Sequence, residues 1–293
     1  MQLDLLNGVG CEAAPAEEID RPIAKPMDIG QRFELLLTKY EAGYRAWVEM
    51  LGEMSAEELR IIPCESYMQA IRTPDASDTE TNINKVARDI KERMIRYAEK
   101  KFAPPGQSLN IDRMELPDQF HIERRDERRF APSAFWKYLE KQYGGSAGED
   151  LAWKQAAEEV VKAFNLCRSD KVETKGGYVI LRDSIIIDST DKKFFNKIKP
   201  CYHSQESIRE CCRALGRFAA WAGLYEVEKD LEEVASHFCF HHYQIESRKQ
   251  FKCGNGEIVV VTFQTNFEYR LSLDTASQLQ LFIGTYAPNS MRD

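Results

Sequence analysis

The stretch Tyr243–Thr265, YQIESRKQFKCGNGEIVVVTFQT, decides the fold of the C-terminal half of this chain. Asn255 and Gly256 separate an alternating apolar run from the β-branched run Ile258–Thr262. An Asn-Gly pair between two such runs predicts a β-hairpin, because both central residues of its turn need a positive φ. Both faces of the second strand are apolar, so we expect helices to cover it on both sides.

Helical periodicity and turn signals place further elements around this hairpin. Strands are predicted after the glycine pair at 176–177. Helices are predicted over Asp150–Asn165, Gln205–Ala222, Glu226–Phe238 and Thr275–Ile283. This order predicts an α+β domain over residues 147–293, with a small mixed or antiparallel sheet.

The N-terminal half, residues 29–146, is predicted to be mainly helical. An apolar stripe predicts a helix over Gly30–Gly52, and capping-box spacing at Ser55 predicts a short second helix, Glu57–Ile62. The polar segment Thr73–Thr81 is typical of a loop. The stripe of the first helix comprises Phe33, Leu36, Leu37, Tyr40, Tyr44, Trp47, Val48 and Leu51.

A further helix, Ile83–Phe102, has a narrow apolar stripe among many charges. Two interpretations remain open: a solvated outer helix, which we favour, or an extended arm that awaits a partner. Residues 1–28 contain three prolines among acidic and small residues. This composition predicts a leader that is ordered only when it docks on another surface.

The composition and charge of the chain exclude some classes of protein. The chain has 293 residues, 43% of them hydrophobic and 30% charged, and a net charge of −7. Such a charge gives no general attraction to nucleic acid, although a local basic patch is compatible with it. The start of the chain does not resemble a signal peptide, and no stretch has the apolar length of a membrane span. We therefore expect a cytoplasmic protein whose eight cysteines are reduced.

Histidine and cysteine residues cluster near the hairpin and give a weak candidate metal site. Zinc takes such ligands in a tetrahedron, but the usual paired spacing is met only loosely here. A buried structural role for the cysteines is the alternative. The members are His237, Cys239, His241 and Cys253, with His242, Cys201 and His203 nearby.

Two other patterns have possible chemical roles. Arg124, Arg125, Arg128 and Arg129 form a basic burst suited to phosphate contacts or to a partner surface, although pairing with the acids among them is the favoured interpretation. Glu173 and Lys175 have the E-x-K spacing of metal-dependent nucleases. The chain contains neither of the glycine-rich phosphate-binding motifs, G-x-G-x-x-G and G-x-x-x-x-G-K-[ST]. We therefore predict no enzyme activity and no cofactor.

The C-terminal half resembles an uncharacterised domain of bacterial mobile elements and phages, which is sometimes found beside an adenine methyltransferase. The resemblance covers roughly residues 150–285. The segments that carry it are Ala163–Cys167 leading to Tyr178–Leu181, the helix Arg209–Leu215 and the turn Cys253–Ile258. The chain departs from that family at Gln264–Asn266, where the family places a basic residue and a short helix.

The length, the acidity, the helical N-terminal part and the α+β C-terminal part are similar to the phage anti-defence proteins that inhibit the Gabija system. This resemblance implies no enzyme activity. It implies a homo-oligomer that assembles on the host nuclease complex and blocks its access to DNA. The alternatives that remain open are a nucleic-acid-binding accessory of a mobile element or methyltransferase, which would use the arginine burst, and a metal-dependent enzyme built on the His/Cys cluster.

Overall fold

A computed structural model describes residues 27–62, 70–122, 129–166, 173–188, 198–239 and 244–290. Within these residues the chain forms seven α-helices and one five-stranded sheet, so the predicted α+β class is confirmed. The helices are α1 (Ile29–Ile61), α2 (Ala76–Lys101), α3 (Pro132–Tyr143), α4 (Ser146–Ala163), α5 (Tyr202–Trp221), α6 (Tyr225–Cys239) and α7 (Leu273–Tyr286). The strands are β1 (Glu173–Lys175), β2 (Tyr178–Ser184), β3 (Gln250–Cys253), β4 (Ile258–Thr262) and β5 (Asn266–Ser272). None of these helices has the length and the apolar character that a bilayer crossing requires.

Helix α1 is continuous, so the prediction of two helices separated at Gly52 was wrong. A capping box starts it: the Asp28 carboxylate accepts from the Gln31 backbone N–H at 2.7 Å, and the Gln31 side chain accepts from Asp28 N–H at 3.0 Å. A single glycine inside a helix costs only about 1 kcal/mol, which the flanking helix formers offset. Near its end, Glu58 accepts from the backbone N–H groups of Ala70 and Ile71.

Helix α2 lies at the centre of the N-terminal core, and the favoured prediction of a solvated outer helix was wrong. Asp75 caps α2, so the last part of the predicted loop Thr73–Thr81 is helical. Met94, Ile95 and Ala98 have no solvent exposure. The stripe is narrow, but α1 and α3 both pack against α2 and bury it.

The sheet is antiparallel throughout, with the strand order β1-β2-β5-β4-β3. The predicted hairpin is confirmed: β3 pairs with β4, and Cys253 lies opposite Ile258. Asn255 and Gly256 both have positive φ, as predicted. The connection is longer than a two-residue turn, however, because it spans the four residues Gly254–Glu257 between the paired Cys253 and Ile258. Gly254 also has a positive φ, of +53°. A Cβ atom on Gly254 would lie 2.3 Å from a methyl of Val227 on α6, so the turn is pressed against that helix.

Among the described residues, the helices of the C-terminal half lie against one face of the sheet and none of them covers the other face, which differs from the expectation of helices on both faces. Val260 and Tyr269 point inward and share one hydrophobic cluster with residues of α4, α5, α6 and α7. The opposite face carries a row of ion pairs. In this row Arg182 bridges Glu173 at 2.5 Å and Glu268 at 3.2 Å, and Arg270 contacts Glu268 at 2.7 Å.

Two hydrophobic clusters divide the described residues, and α4 contributes to both. Ala152 belongs to the N-terminal cluster, and Ala156 and Ala157 belong to the C-terminal one. The predicted domain boundary at residues 146/147 therefore falls on the first turn of a shared helix. Arg217 of α5 adds a second link, because it donates to the carbonyl and hydroxyl oxygens of Ser108.

Candidate functional site

The arginine burst is described only at its last residue. Arg124, Arg125 and Arg128 lie outside the described residues. Arg129 pairs with Glu41 at 2.6 Å, and Glu41 also pairs with Arg45 at 3.1 Å. Arg129 thus joins a network of opposite charges on α1, although 76% of its side-chain surface is exposed to solvent.

The described members of the His/Cys cluster do not converge on one point. The Cys239 thiol donates to the Gln205 carbonyl at 3.0 Å, and the ring of His237 contacts Phe238 and Phe251. Burial raises the pKa of Cys253 to about 12, which disfavours the thiolate that a metal would need. Among the described residues, no three His, Cys, Asp or Glu side chains are placed to hold a metal ion. His241 lies outside the described residues.

Two short catalytic patterns occur in the wrong structural context. Glu173 and Lys175 lie on the edge strand β1, and the Glu173 carboxylate is bound to Arg182. The stretch Gly144–Gly148, GGSAG, has the G-x-S-x-G spacing of a nucleophile elbow. That elbow needs a strand before the serine and a helix after it, whereas here α3 precedes Ser146.

A buried polar cluster lies between the sheet and α5. Asp183 Oδ1 accepts from the Ser207 hydroxyl at 2.8 Å, and Asp183 Oδ2 has no hydrogen-bond partner among the described residues. Burial raises the pKa of Asp183 to about 6. The Cys212 thiol lies 3.9 Å from the hydroxyl of Tyr269, which is fully buried. These groups have little access to solvent, so they are not placed to meet a substrate.

The sequence carried a signal for this cluster that our prediction missed. Asp183 follows Val179 and Leu181 at two-residue spacing on β2, so its side chain must point to the same apolar face. An acidic residue in the inward register of a buried strand predicts a carboxylate with a raised pKa.

A cleft of about 790 Å³ lies between α5 and α6. Its charged lining comprises Arg209, Arg213, Arg217, Glu228, Lys229, Glu232 and Glu233. Cations thus nearly balance acids, and Arg217 is already bound to Glu159 at 2.8 Å. The cleft therefore has no strong preference for one sign of ligand charge.

Among the described residues, helix α1 carries a row of exposed large apolar side chains. We define the α1 seam as ten positions that follow each other at alternating spacings of four and three residues. They are Ile29, Phe33, Leu36, Tyr40, Gly43, Trp47, Met50, Met54, Glu57 and Ile61. Five large apolar side chains of the seam are well exposed: Leu36 (53%), Trp47 (44%), Met50 (48%), Met54 (45%) and Ile61 (71%).

The stripe that the sequence predicted for this helix is only partly buried. Leu37 is buried, and Ile29 and Phe33 at the start of the seam pack against the N-terminal core, but Leu36 and Trp47 face solvent. The apolar arc of α1 is therefore wider than one packing contact requires. Alternating spacings of four and three residues are typical of helices that pair with another helix, and contiguous exposed apolar surface marks interaction sites.

Comparisons with family models, with curated proteins and with solved structures gave no match.

Proposed function

We propose that the protein acts without enzyme activity, by protein–protein contact through α1. The observation that carries this proposal is the group of five exposed apolar side chains in the α1 seam, most of them in the second half of the helix: Leu36, Trp47, Met50, Met54 and Ile61. Leaving such a row in water is unfavourable, since each Å² of apolar surface removed from water contributes about 25 cal/mol. A protein surface that covers the seam recovers this energy.

In the cell, the proposed role is that of a phage anti-defence protein in the host cytoplasm. It forms a homo-oligomer, binds a host DNA-targeting defence complex of the Gabija type and keeps DNA from the nuclease. The resemblance in length, acidity and architecture supports this role, and so does the net charge of −7, which suits a protein that competes with DNA rather than binds it.

The test is co-expression of the tagged protein with a Gabija nuclease complex. Met50→Glu and Met54→Glu, introduced together, place two charges on the seam without touching the core. Met114→Glu is the matched control, because Met114 is 83% exposed and lies outside α1. We expect the wild type and the control to co-purify with the complex and to inhibit its DNA cleavage, and the double variant to lose both by at least tenfold.

Equal binding and inhibition by all three proteins would contradict the proposal. If the wild type leaves the complex fully active and instead binds DNA in a salt-dependent way, the nucleic-acid alternative is favoured. Circular dichroism and thermal unfolding of each variant establish that α1 is still folded.

A further inference from the structure

We propose that the cleft between α5 and α6 binds a dipeptide or a similarly short zwitterionic peptide. The ammonium group lies at α6, the carboxylate at α5, and the peptide amide on the side chain of Gln107. The volume of the cleft, about 790 Å³, is typical of small-molecule sites. Its buried lining residues Cys212, Gly216 and Ala235 are small, which leaves room for peptide side chains. The cleft does not involve α1, so this inference is independent of the proposed function.

The side chain of Gln107 has hydrogen-bonding capacity that the fold does not use. Its Oε1 and Nε2 atoms are both buried, and within the described part of the chain neither has a hydrogen-bond partner. The backbone N–H of Gln107 donates to the Pro104 carbonyl at 3.0 Å. Arg217 holds the next residue, Ser108, against α5. This loop therefore fixes a buried amide at the cleft, and a ligand that offers it one donor and one acceptor removes an unfavourable term.

The α5 wall of the cleft has an excess of positive charge. Arg209 pairs with Glu206 at 2.9 Å. Arg213 and Arg217, one helical turn apart, share the single carboxylate of Glu159 at 3.9 Å and 2.8 Å. Three guanidinium groups and two carboxylates leave one positive charge, and 57% of the Arg213 side chain is exposed. A ligand carboxylate therefore meets an accessible guanidinium group, which can bind it through two parallel hydrogen bonds.

The α6 wall has the opposite charge. It carries three acids, Glu228, Glu232 and Glu233, and one cation, Lys229, and none of these four has an ion pair among the residues that the structure describes. Burial and the neighbouring Glu232 raise the pKa of Glu228, as expected of a carboxylate that lacks a counter-ion. A ligand ammonium group at this wall offsets the remaining negative charge.

The two walls together select a ligand that is charged at both ends. Over the described ranges of the chain, no ion pair joins Arg213 or Arg217 to the acids of α6, so the walls face each other without neutralising one another. A dipeptide has an ammonium group at one end, a carboxylate at the other and an amide with one N–H and one C=O between them. A polyanion or a polyamine would instead meet like charge on one wall.

Ligand-observed NMR with the dipeptide Ala-Ala tests for binding. We expect saturation transfer from the protein and a dissociation constant on the order of 1 mM, as is usual for a ligand of this size. The blocked N-acetyl-Ala-Ala amide is the matched control, because it keeps the peptide groups and loses both charges. It should bind about tenfold more weakly. Equal binding of the two, or no binding of Ala-Ala up to about 20 mM, would overturn the inference.

Gln107→Leu tests the role of the amide. We expect Ala-Ala to bind this variant about tenfold more weakly, because two hydrogen bonds are lost. The Tm of the free protein should stay unchanged or rise, since the variant removes two buried polar atoms that have no partner among the described residues. A lower Tm together with unchanged binding would mean that Gln107 has only a structural role, and would contradict the site.

Charge variants test the orientation of the peptide. Glu228→Gln combined with Glu232→Gln should abolish the preference for Ala-Ala over N-acetyl-Ala-Ala, and Arg213→Gln should abolish the preference for Ala-Ala over its C-terminal amide. Each variant should keep the other preference. Glu210→Gln is the matched control, because Glu210 is exposed on α5 but does not line the cleft. It should change neither preference, and circular dichroism verifies the fold of each variant. Preferences that are exchanged between the variants, or unchanged in both, would overturn the proposed orientation.

Discussion

Asp183 shows how one side chain ties the stability of the fold to pH. Its position on β2 forces the carboxylate into the core, where burial raises its pKa from 3.8 to about 6. A folded-state pKa above the unfolded one means that the native protein binds the proton more tightly. The destabilising contribution of the charged form is therefore fully present above pH 6, and it disappears as the pH falls toward 4.

We predict that Asp183→Asn raises the free energy of unfolding at pH 7.5 by about 1–2 kcal/mol, because the variant buries no charge. The difference from the wild type should shrink as the pH falls through 6 and be absent near pH 4. Urea unfolding across this range measures it. Asp150→Asn, at an exposed site on α4, controls for the loss of one negative charge. A difference that does not change with pH would contradict the assignment.

Gly254 shows a close approach that only glycine allows. We predict that Gly254→Ala costs about 2–4 kcal/mol of stability, because the new methyl group meets Val227 and the backbone has a positive φ. Gly176→Ala is the matched control: it has a similar φ of +60° but no atom within 4 Å, so it should cost about 1 kcal/mol. Equal losses in thermal unfolding would show that Val227 moves aside freely.

At the scale of elements, helix α2 shows what its sequence pattern does not specify. The stripe on Ile83, Ile90 and Met94 was recognisable, but the number of helices packed on it was not. Ala87 and Ala98 are small and buried, which permits close approach by neighbouring helices, yet their size alone does not identify those neighbours. The same limit applies to α1. Its apolar residues were predicted as one stripe, because the sequence does not show that only part of them packs against the core and that the rest faces solvent.

We predict that Met94→Ala lowers the free energy of unfolding by about 2–4 kcal/mol, since Met94 has no solvent exposure and truncation leaves a cavity. Met114→Ala, the same change at an 83% exposed site, should alter it by less than about 0.5 kcal/mol. Chemical denaturation of both variants gives the comparison. Similar small effects would mean that α2 is a peripheral helix after all.

The strands were more predictable than the helices. The Asn-Gly turn and the alternation around it are local signals, and they correctly placed β3 and β4. The placement of all the described helices of this half on one sheet face was not predictable in this way, because Val259 and Val261 are as apolar as the inward residues. They lie opposite Arg270 and Glu268, and this pairing follows from the register with β5 rather than from β4 itself.

At the scale of the whole molecule, two hydrophobic clusters are joined by α4 and by the contact between Arg217 and Ser108. We predict that Arg217→Ala destabilises the protein by about 1–3 kcal/mol, because it removes two hydrogen bonds and leaves Glu159 without its 2.8 Å partner. Arg213→Ala, on the same helix but more exposed, should cost less than about 0.5 kcal/mol. Calorimetry that finds equal effects would show that this contact does not couple the clusters.

The central claim is that protein covers the α1 seam in the working state, and methionine oxidation tests it most directly. Brief peroxide treatment followed by mass spectrometry gives the oxidation rates of Met50 and Met54 relative to Met114, which lies outside the seam. A bare seam, about half exposed at these residues, would be oxidised about half as fast as Met114. We predict at least tenfold protection of Met50 and Met54 at high protein concentration or with the nuclease complex, lost on dilution. Unprotected rates under every condition would contradict the account.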